Sequence, residues 1–188
     1  MTNAVEAWFG DHFGELHPQL QTLHRHGGTL SGNIDLCFGR GIAGLLGRRL
    51  ARRVGIPTIA GVHALQVQIY SVHDELHWNR CFNASTMFRS TFIPVGTFPS
   101  GHWIEQSSSV QLLLTVRVVN GGWHWQPVGA KLGALSLPAA CLPRGIACKE
   151  IAGGLYHFRV SMALPLLGKL LEYGGNLRLA ARPAQDLA

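Results

Sequence analysis

Between residues 59 and about 160 the chain runs as short alternating segments separated by very tight turns, and this constrains the fold more than any other feature. In VHALQVQIYSV (62–72), Val67, Ile69 and Ser71 fall on one face and Gln66, Gln68 and Tyr70 on the other. LHWNRCF (76–82) and TMFRSTFI (86–93) continue the pattern, and Pro94 to Gly101 reads as a loop. SVQLLLTVRVV (109–119) is the strongest strand; Asn120-Gly121-Gly122 turns it back into Trp123-His124-Trp125. Residues 146–152 and 155–164 form a further hairpin across Gly153-Gly154. A period of two marks strands, and connections of two or three residues join only antiparallel neighbours, because a parallel pair needs a crossover of about a dozen residues.

Helices come first. Val5, Trp8, Phe9 and Phe13 have helical spacing within 4–13, and Leu16, Leu20 and Leu23 repeat it within 15–26, which stops at Gly27-Gly28. A strand at 29–38 leads to a helix at 41–54, ended by Gly55 with Pro57 beyond. Residues 165–173 read equally as a helical turn after Pro165 or as a last strand, and the tail from 181 reads as loose. The expected fold is α+β: N-terminal helices packed on a curved, barrel-like antiparallel sheet, with 1–180 as a single domain and 181–188 as a tail.

Gly39, Gly41 and Gly44 spell G-x-G-x-x-G between that strand and that helix. A dinucleotide loop needs a βαβ unit and an acidic residue about 20 positions on to hold the ribose. The next acid after Gly44 is Asp74, beyond a strong strand. The glycines therefore read as tight turning and close packing at a helix entry, and no cofactor is expected. Arg40 and Gly41 at the helix N-terminus remain a candidate anion site.

Only 14% of the 188 residues are charged, against about 25% in an average soluble domain. The net charge of +6 is concentrated in Arg40, Arg48, Arg49, Arg52 and Arg53; without these five it is +1. One basic segment is not the broad basic face that nucleic acid requires, so no nucleic-acid partner is expected. On a helical wheel Arg48 and Arg52 share one side, suited to a solvated face or a membrane surface, while Arg49 and Arg53 fall within an apolar arc of Ile42, Leu45, Leu46, Leu50 and Val54. No transmembrane segment or signal peptide is apparent, so a cytoplasmic location is expected. Cys37, Cys81, Cys141 and Cys148 contain no C-x-x-C and read as small hydrophobes.

No metal site is expected. His73 and His77 would share a face only on a helix, and HDELH more naturally contains a hairpin turn. The remaining histidines are scattered, and His24-Arg25-His26 reads as the cationic end of a helix. The strand 76–82 is the most suggestive segment. Leu76, Trp78, Arg80 and Phe82 share a face, so an inward Trp/Phe face buries Arg80. A buried guanidinium needs a carboxylate or an anionic ligand, and Glu105 and Glu172 are the candidate partners. Trp78, Arg80, Phe82, Glu105, Glu172 and Tyr173 form the candidate ligand set.

Several motifs, in order, resemble a bacterial family known as a domain of unknown function. They are Phe13…Leu16-His17-Pro18, Arg40-Gly41 before a basic helix ending at Gly55-Ile56-Pro57, and Trp78-x-Arg80-x-Phe82. Leu137-Pro138, Leu142-Pro143, Glu150, Phe158-x-Val160, Leu167-Gly168 and Tyr173-Gly174-Gly175-x-Leu177 follow. The resemblance implies a self-standing domain found alone or behind a saccharopine-dehydrogenase-like, NAD(P)-binding domain, and hence an NAD(P)-dependent reductase as a partner. It implies no activity and supplies no catalytic residues. The expected function is a binding or accessory domain for a small apolar or amphipathic molecule in a sheet-enclosed pocket; the alternative is a cofactor-independent lyase, isomerase or cyclase acting on such a ligand.

Overall fold

The computed structural model describes residues 3–107, 110–132, 135–137 and 144–180. Two helices and a 3₁₀ segment open the chain: α1 (Ala4–Phe9), the 3₁₀ segment Gly10–Glu15 and α2 (Pro18–His26). β1 (Gly28–Phe38) and α3 (Gly41–Val54) follow. Then come β2 (Gly61–Val72), β3 (Glu75–Phe82), β4 (Thr86–Val95), β5 (His102–Ser107), β6 (Val110–Val119) and β7 (Gly122–Leu132). The last strands are β8 (Leu135–Leu137), β9 (Arg144–Ala152), β10 (Leu155–Leu164) and β11 (Gly168–Leu179).

Each strand from β1 to β7 pairs antiparallel with the next, β7 pairs with β9, and β9, β10 and β11 continue the ladder. β11 returns to β1 over a nine-pair register from Leu30↔Leu179 to Phe38↔Leu171. The sheet is thus a closed ten-stranded barrel, with β8 appended to β7. Closure removes the free edges that an open sheet of this size would leave. The protein is therefore mostly β: its helices close the ends of a barrel and do not form a layer on an open sheet.

Several elements depart from the sequence reading. The segment Pro94–Gly101 is not all loop: β4 runs through to Val95, and the loop contains a cis Phe98–Pro99 bond. β5 has no counterpart in that reading. Its burial follows no clean alternation, because Ile104 and Glu105 are both half-buried. Residues 165–173 resolve as a turn at 165–167 entering β11, the strand that closes the barrel. The 181–188 tail and Cys141 lie outside the described residues.

The ends of the barrel differ. Up-and-down connectivity puts the β2–β3, β4–β5 and β6–β7 turns at one end, and α1 and α2 plug it. His17 N–H donates to Gly121 O (2.9 Å), and Phe98 N–H donates to Trp8 O (2.9 Å). Trp8, Phe9, Phe98, Trp103 and Trp123 interlock there, with ring centroids 5.0–6.1 Å apart. At the other end α3 links β1 to β2.

The face that α3 buries is not the predicted apolar arc. Ala43, Gly44, Gly47 and Ala51 are buried, whereas Ile42, Leu45 and Leu46 are exposed, Leu45 by 67%. A methyl group on Gly39 would overlap the Lys169 carbonyl oxygen, and one on Gly47 would overlap that of Leu170. The helix axis therefore lies so close to β11 that only the smallest side chains fit between them. Within G-x-G-x-x-G each glycine has its own structural reason: Gly39 packs on the β11 backbone, Gly41 has a positive φ of 54°, and Gly44 sits against the Gly39 carbonyl oxygen. We expect Gly47→Leu to lift α3 from β11 and to cost about 1–3 kcal/mol or more. Ile42→Ser should stay within about 0.5 kcal/mol. Urea unfolding of the two variants checks both.

Candidate functional site

The alternation predicted for β3 holds in the structure: Leu76, Trp78, Arg80 and Phe82 are buried and point inward. Arg80 is only 8% exposed. Its guanidinium stacks between Phe88 (4.6 Å from Cζ to the ring centroid) and Trp78 (5.0 Å). Arg80 Nη1 donates to Ser90 Oγ (2.9 Å), and Ser90 Oγ donates to Glu105 Oε1 (2.7 Å). Ser107 Oγ lies 2.8 Å from Ser90 Oγ. Ser90 has one hydroxyl proton, already given to Glu105, so Ser107 is the donor in that contact. Adjacent strands β3, β4 and β5 thus assemble a charged, hydrogen-bonded patch on one inner wall, with Ser90 as the relay between guanidinium and carboxylate.

This patch faces a cavity of about 180 Å³ in the half of the barrel beneath α3. Its wall is overwhelmingly apolar and includes Leu50, Val54, Phe88, Leu112, Val160 and Met162. Arg80, Glu105, Ser107, Lys149 and the Tyr156 and Tyr173 rings interrupt it. Burial pushes both tyrosine hydroxyls up from their ordinary range, Tyr156 the further, so both are neutral at physiological pH.

The candidate ligand residues separate accordingly. Trp78, Arg80, Glu105 and Tyr173 line the cavity. Phe82 is fully buried and packs on Tyr173 (6.2 Å between centroids) but does not line the cavity. Glu172 does not meet Arg80. It alternates with the inward Leu171 and Tyr173, so it faces out and pairs with Arg159 (2.9 Å) and Lys169 (3.7 Å). Arg40 and Gly41 open α3 on the surface and do not line the cavity.

The residue that sequence reasoning missed is Lys149. On β9, Ala147 and Lys149 turn inward while Cys148 and Glu150 turn out. Lys149 is 2% exposed, and its Nζ has no hydrogen-bond partner. The amine sits 3.8 Å from the Trp78 ring centroid, 4.2 Å from that of Trp123 and 5.1 Å from that of Trp125. Burial, reinforced by the positive charge of Arg80 and only partly opposed by Glu105, holds its pKa well below the ordinary lysine range. The one available signal was weak: a lysine flanked at i±2 by Ala147 and Ile151, in a chain with only three lysines. Below it, His24 is buried against Trp123 (4.8 Å) with neither ring nitrogen hydrogen-bonded. Burial holds its pKa well below the ordinary histidine range. Its place at a helix end is therefore a packing role inside the plug, not a cationic cap.

On the outer surface, cross-strand neighbours His124 and Cys148 meet Glu150, with ligand atoms within 4.8 Å of one another. His124 Nε2 lies 3.1 Å from Glu150 Oε1 without hydrogen-bond alignment. These three side chains have the donor types of a metal site, a grouping that the scatter of histidines along the sequence hides. HDELH, by contrast, contains the β2–β3 turn as expected, with His77 stacked on Tyr70 (5.2 Å) and 3.2 Å from Glu75.

Residues 16–177 match the family model described as Domain of unknown function (DUF4166). The chain belongs to this family. No curated protein and no solved structure matches it. Among the described residues of this DUF4166 domain, no helix is long and apolar enough to cross a membrane.

Two stability effects follow from the buried bases. The fold binds the Lys149 proton less tightly than the unfolded chain does, so the site costs stability, by an amount that grows as pH falls below 10.5. Lys149→Met removes that cost and should stabilise the domain at pH 7 by about 1–4 kcal/mol, read from the urea midpoint. For His24 the unfolded chain binds a proton below pH 6.5 that the fold refuses. Its contribution is intact above pH 6.5 and is lost on acidification, at up to about 1.4 kcal/mol per pH unit. His24→Phe should flatten the dependence of thermal midpoint on pH between 7.5 and 5.

Proposed function

We propose that the domain binds one small amphipathic molecule inside the barrel. Its apolar body occupies the cavity beneath α3, and its oxygen-bearing head lies against Arg80, Ser107 and Lys149. The observation that carries this reading is an apolar cavity interrupted by a guanidinium whose hydrogen-bonding capacity is only partly used and an amine that has no partner. Buried polar groups without partners cost stability. A pocket with an apolar wall and a few convergent polar groups is the usual form of a small-molecule site. The volume of about 180 Å³ is comparable with the ~150 Å³ apolar void that takes up benzene, so the ligand, or the part of it enclosed, has the size of a six- to eight-carbon unit.

A turnover reading, as a cofactor-independent lyase or isomerase, would use Glu105 as the acid or base, since it is the carboxylate on the cavity wall. A reductase partner rests on the family resemblance alone. Contact with a membrane surface would use the exposed Ile42, Leu45 and Leu46 of α3 beside Arg48 and Arg52.

Native mass spectrometry of the purified domain, before and after denaturation, tests the binding reading. The expected result is an organic molecule that leaves on unfolding, or uptake of added benzyl alcohol with a change in tryptophan emission from Trp78 and Trp125. Ala147→Phe, which fills the cavity next to Lys149, should weaken that uptake at least tenfold while circular dichroism stays unchanged. Unaltered uptake by this variant would place the ligand elsewhere.

A further inference from the structure

We propose that Lys149 is a covalent attachment point for an aldehyde or ketone: its Nζ, buried without a hydrogen-bond partner between the indoles of Trp78, Trp123 and Trp125, adds to a carbonyl carbon in the cavity and forms an imine. This rests on the binding reading above and deepens it by naming the reactive group of the ligand. Three features of the site support it.

First, a buried ammonium with no acceptor is costly. Each ring offers cation–π attraction of about 2 kcal/mol when desolvated, but none supplies an oxygen or nitrogen acceptor for the N–H groups, and the Arg80 guanidinium on the same indole opposes a second positive charge. The free amine is the form that fits, and it is the nucleophilic form. Second, Arg80 stands beside it on the same indole, with Cζ 5.0 Å and Lys149 Nζ 3.8 Å from the Trp78 centroid. A neighbouring fixed cation in an apolar pocket is a known way to keep a lysine deprotonated for carbonyl chemistry. The guanidinium also supplies N–H donors to the carbonyl oxygen as negative charge develops there. Third, the apolar wall excludes bulk water, the product of the condensation, which favours the imine.

The chemistry balances without an outside reagent. The amine lone pair forms the C–N bond, and the carbonyl π electrons move to oxygen. The two hydrogens of the amine leave with that oxygen as one water. Nothing is oxidised or reduced, and hydrolysis by the reverse path releases the ligand. The free thiol of Cys148 takes no part, because it faces out of the barrel.

The test is reductive trapping of the whole domain with benzaldehyde and cyanoborohydride at pH 6, followed by intact mass and peptide mapping. The chain has only three lysines, and Lys131 and Lys169 are exposed, so they and the N-terminal amine serve as internal comparators. At pH 6 an ordinary lysine is almost wholly protonated. The expected result is a single benzyl group on Lys149, at least tenfold above Lys131 and Lys169. It should be suppressed by excess benzyl alcohol and absent in Lys149→Met. Should that variant fail to fold, the site ratio in the unaltered protein and its suppression by the alcohol decide the matter. If the unaltered protein takes up benzyl alcohol yet Lys149 is labelled no more than the exposed lysines, imine formation is overturned and cavity binding stands. If neither compound enters, both readings are overturned.

Discussion

The pairing of β11 with β1 is the interaction on which everything else depends. Nine consecutive residue pairs join the last strand to the first, and they convert a meander with two free edges into a barrel with an inside. A ten-stranded ring is wider than one that side chains alone fill from the wall, since diameter grows with strand number. The extra space is divided between two solutions. α1 and α2 bring Trp8, Phe9, Leu20 and Leu23 into one end, where they meet Trp103 and Trp123. α3 covers the other end with Leu50 and Val54 but does not fill it, and the cavity is what remains.

Polar groups are distributed along the same axis. The patch of Arg80, Ser90, Ser107 and Glu105 is linked by hydrogen bonds and close to neutral, so its burial is tolerable even though the guanidinium keeps spare donors. Lys149 is different in kind. It rises from the opposite wall, reaches across to Trp78 and finds no acceptor. A methionine would fill the same space at lower cost, and the tension between stability and a retained polar group is typical of sites kept for binding or chemistry. His24 is the counterexample within the same core. Its unsatisfied nitrogens sit in the packed plug, away from the cavity wall, and do the work of a flat ring against Trp123.

What was legible in the sequence followed period and turn chemistry. Strands β2, β3, β6 and β10 were readable because alternation and short turns fix both their existence and their faces, and the inward placement of Arg80 came from Trp78 and Phe82 at i±2. Glu172 was misassigned because an acid next to apolar residues has the same local sequence whether it points in or out; only the register of Leu171 and Tyr173 against β1 and β10 decides it. Lys149 was invisible for the complementary reason, since on β9 the face carrying the lysine is no more polar than the face carrying Cys148 and Glu150. The α3 error is one of kind. Amphipathicity assumes that a helix buries its large apolar side chains, but close backbone approach to β11 demands small ones, and Gly39 and Gly47 were the evidence for it.

That close approach also bears on how the cavity is reached. Because α3 and its entry lie tight against β11 through Gly39 and Gly47, the C-terminal turn of the helix is left to bridge toward β4. A surface depression there is flanked by Arg52, Arg53 and Arg89 and shares Val54, Phe88 and Ser107 with the cavity wall. Val54, Phe88 and Ser107 thus form the partition between this basic-rimmed depression and the interior. The helix is held closely at both ends, against β11 at its start and against β4 at its C-cap, where a methyl group on Gly55 would overlap the Met87 carbonyl oxygen, so a path from this depression to the cavity has to run between side chains and not through a displaced backbone.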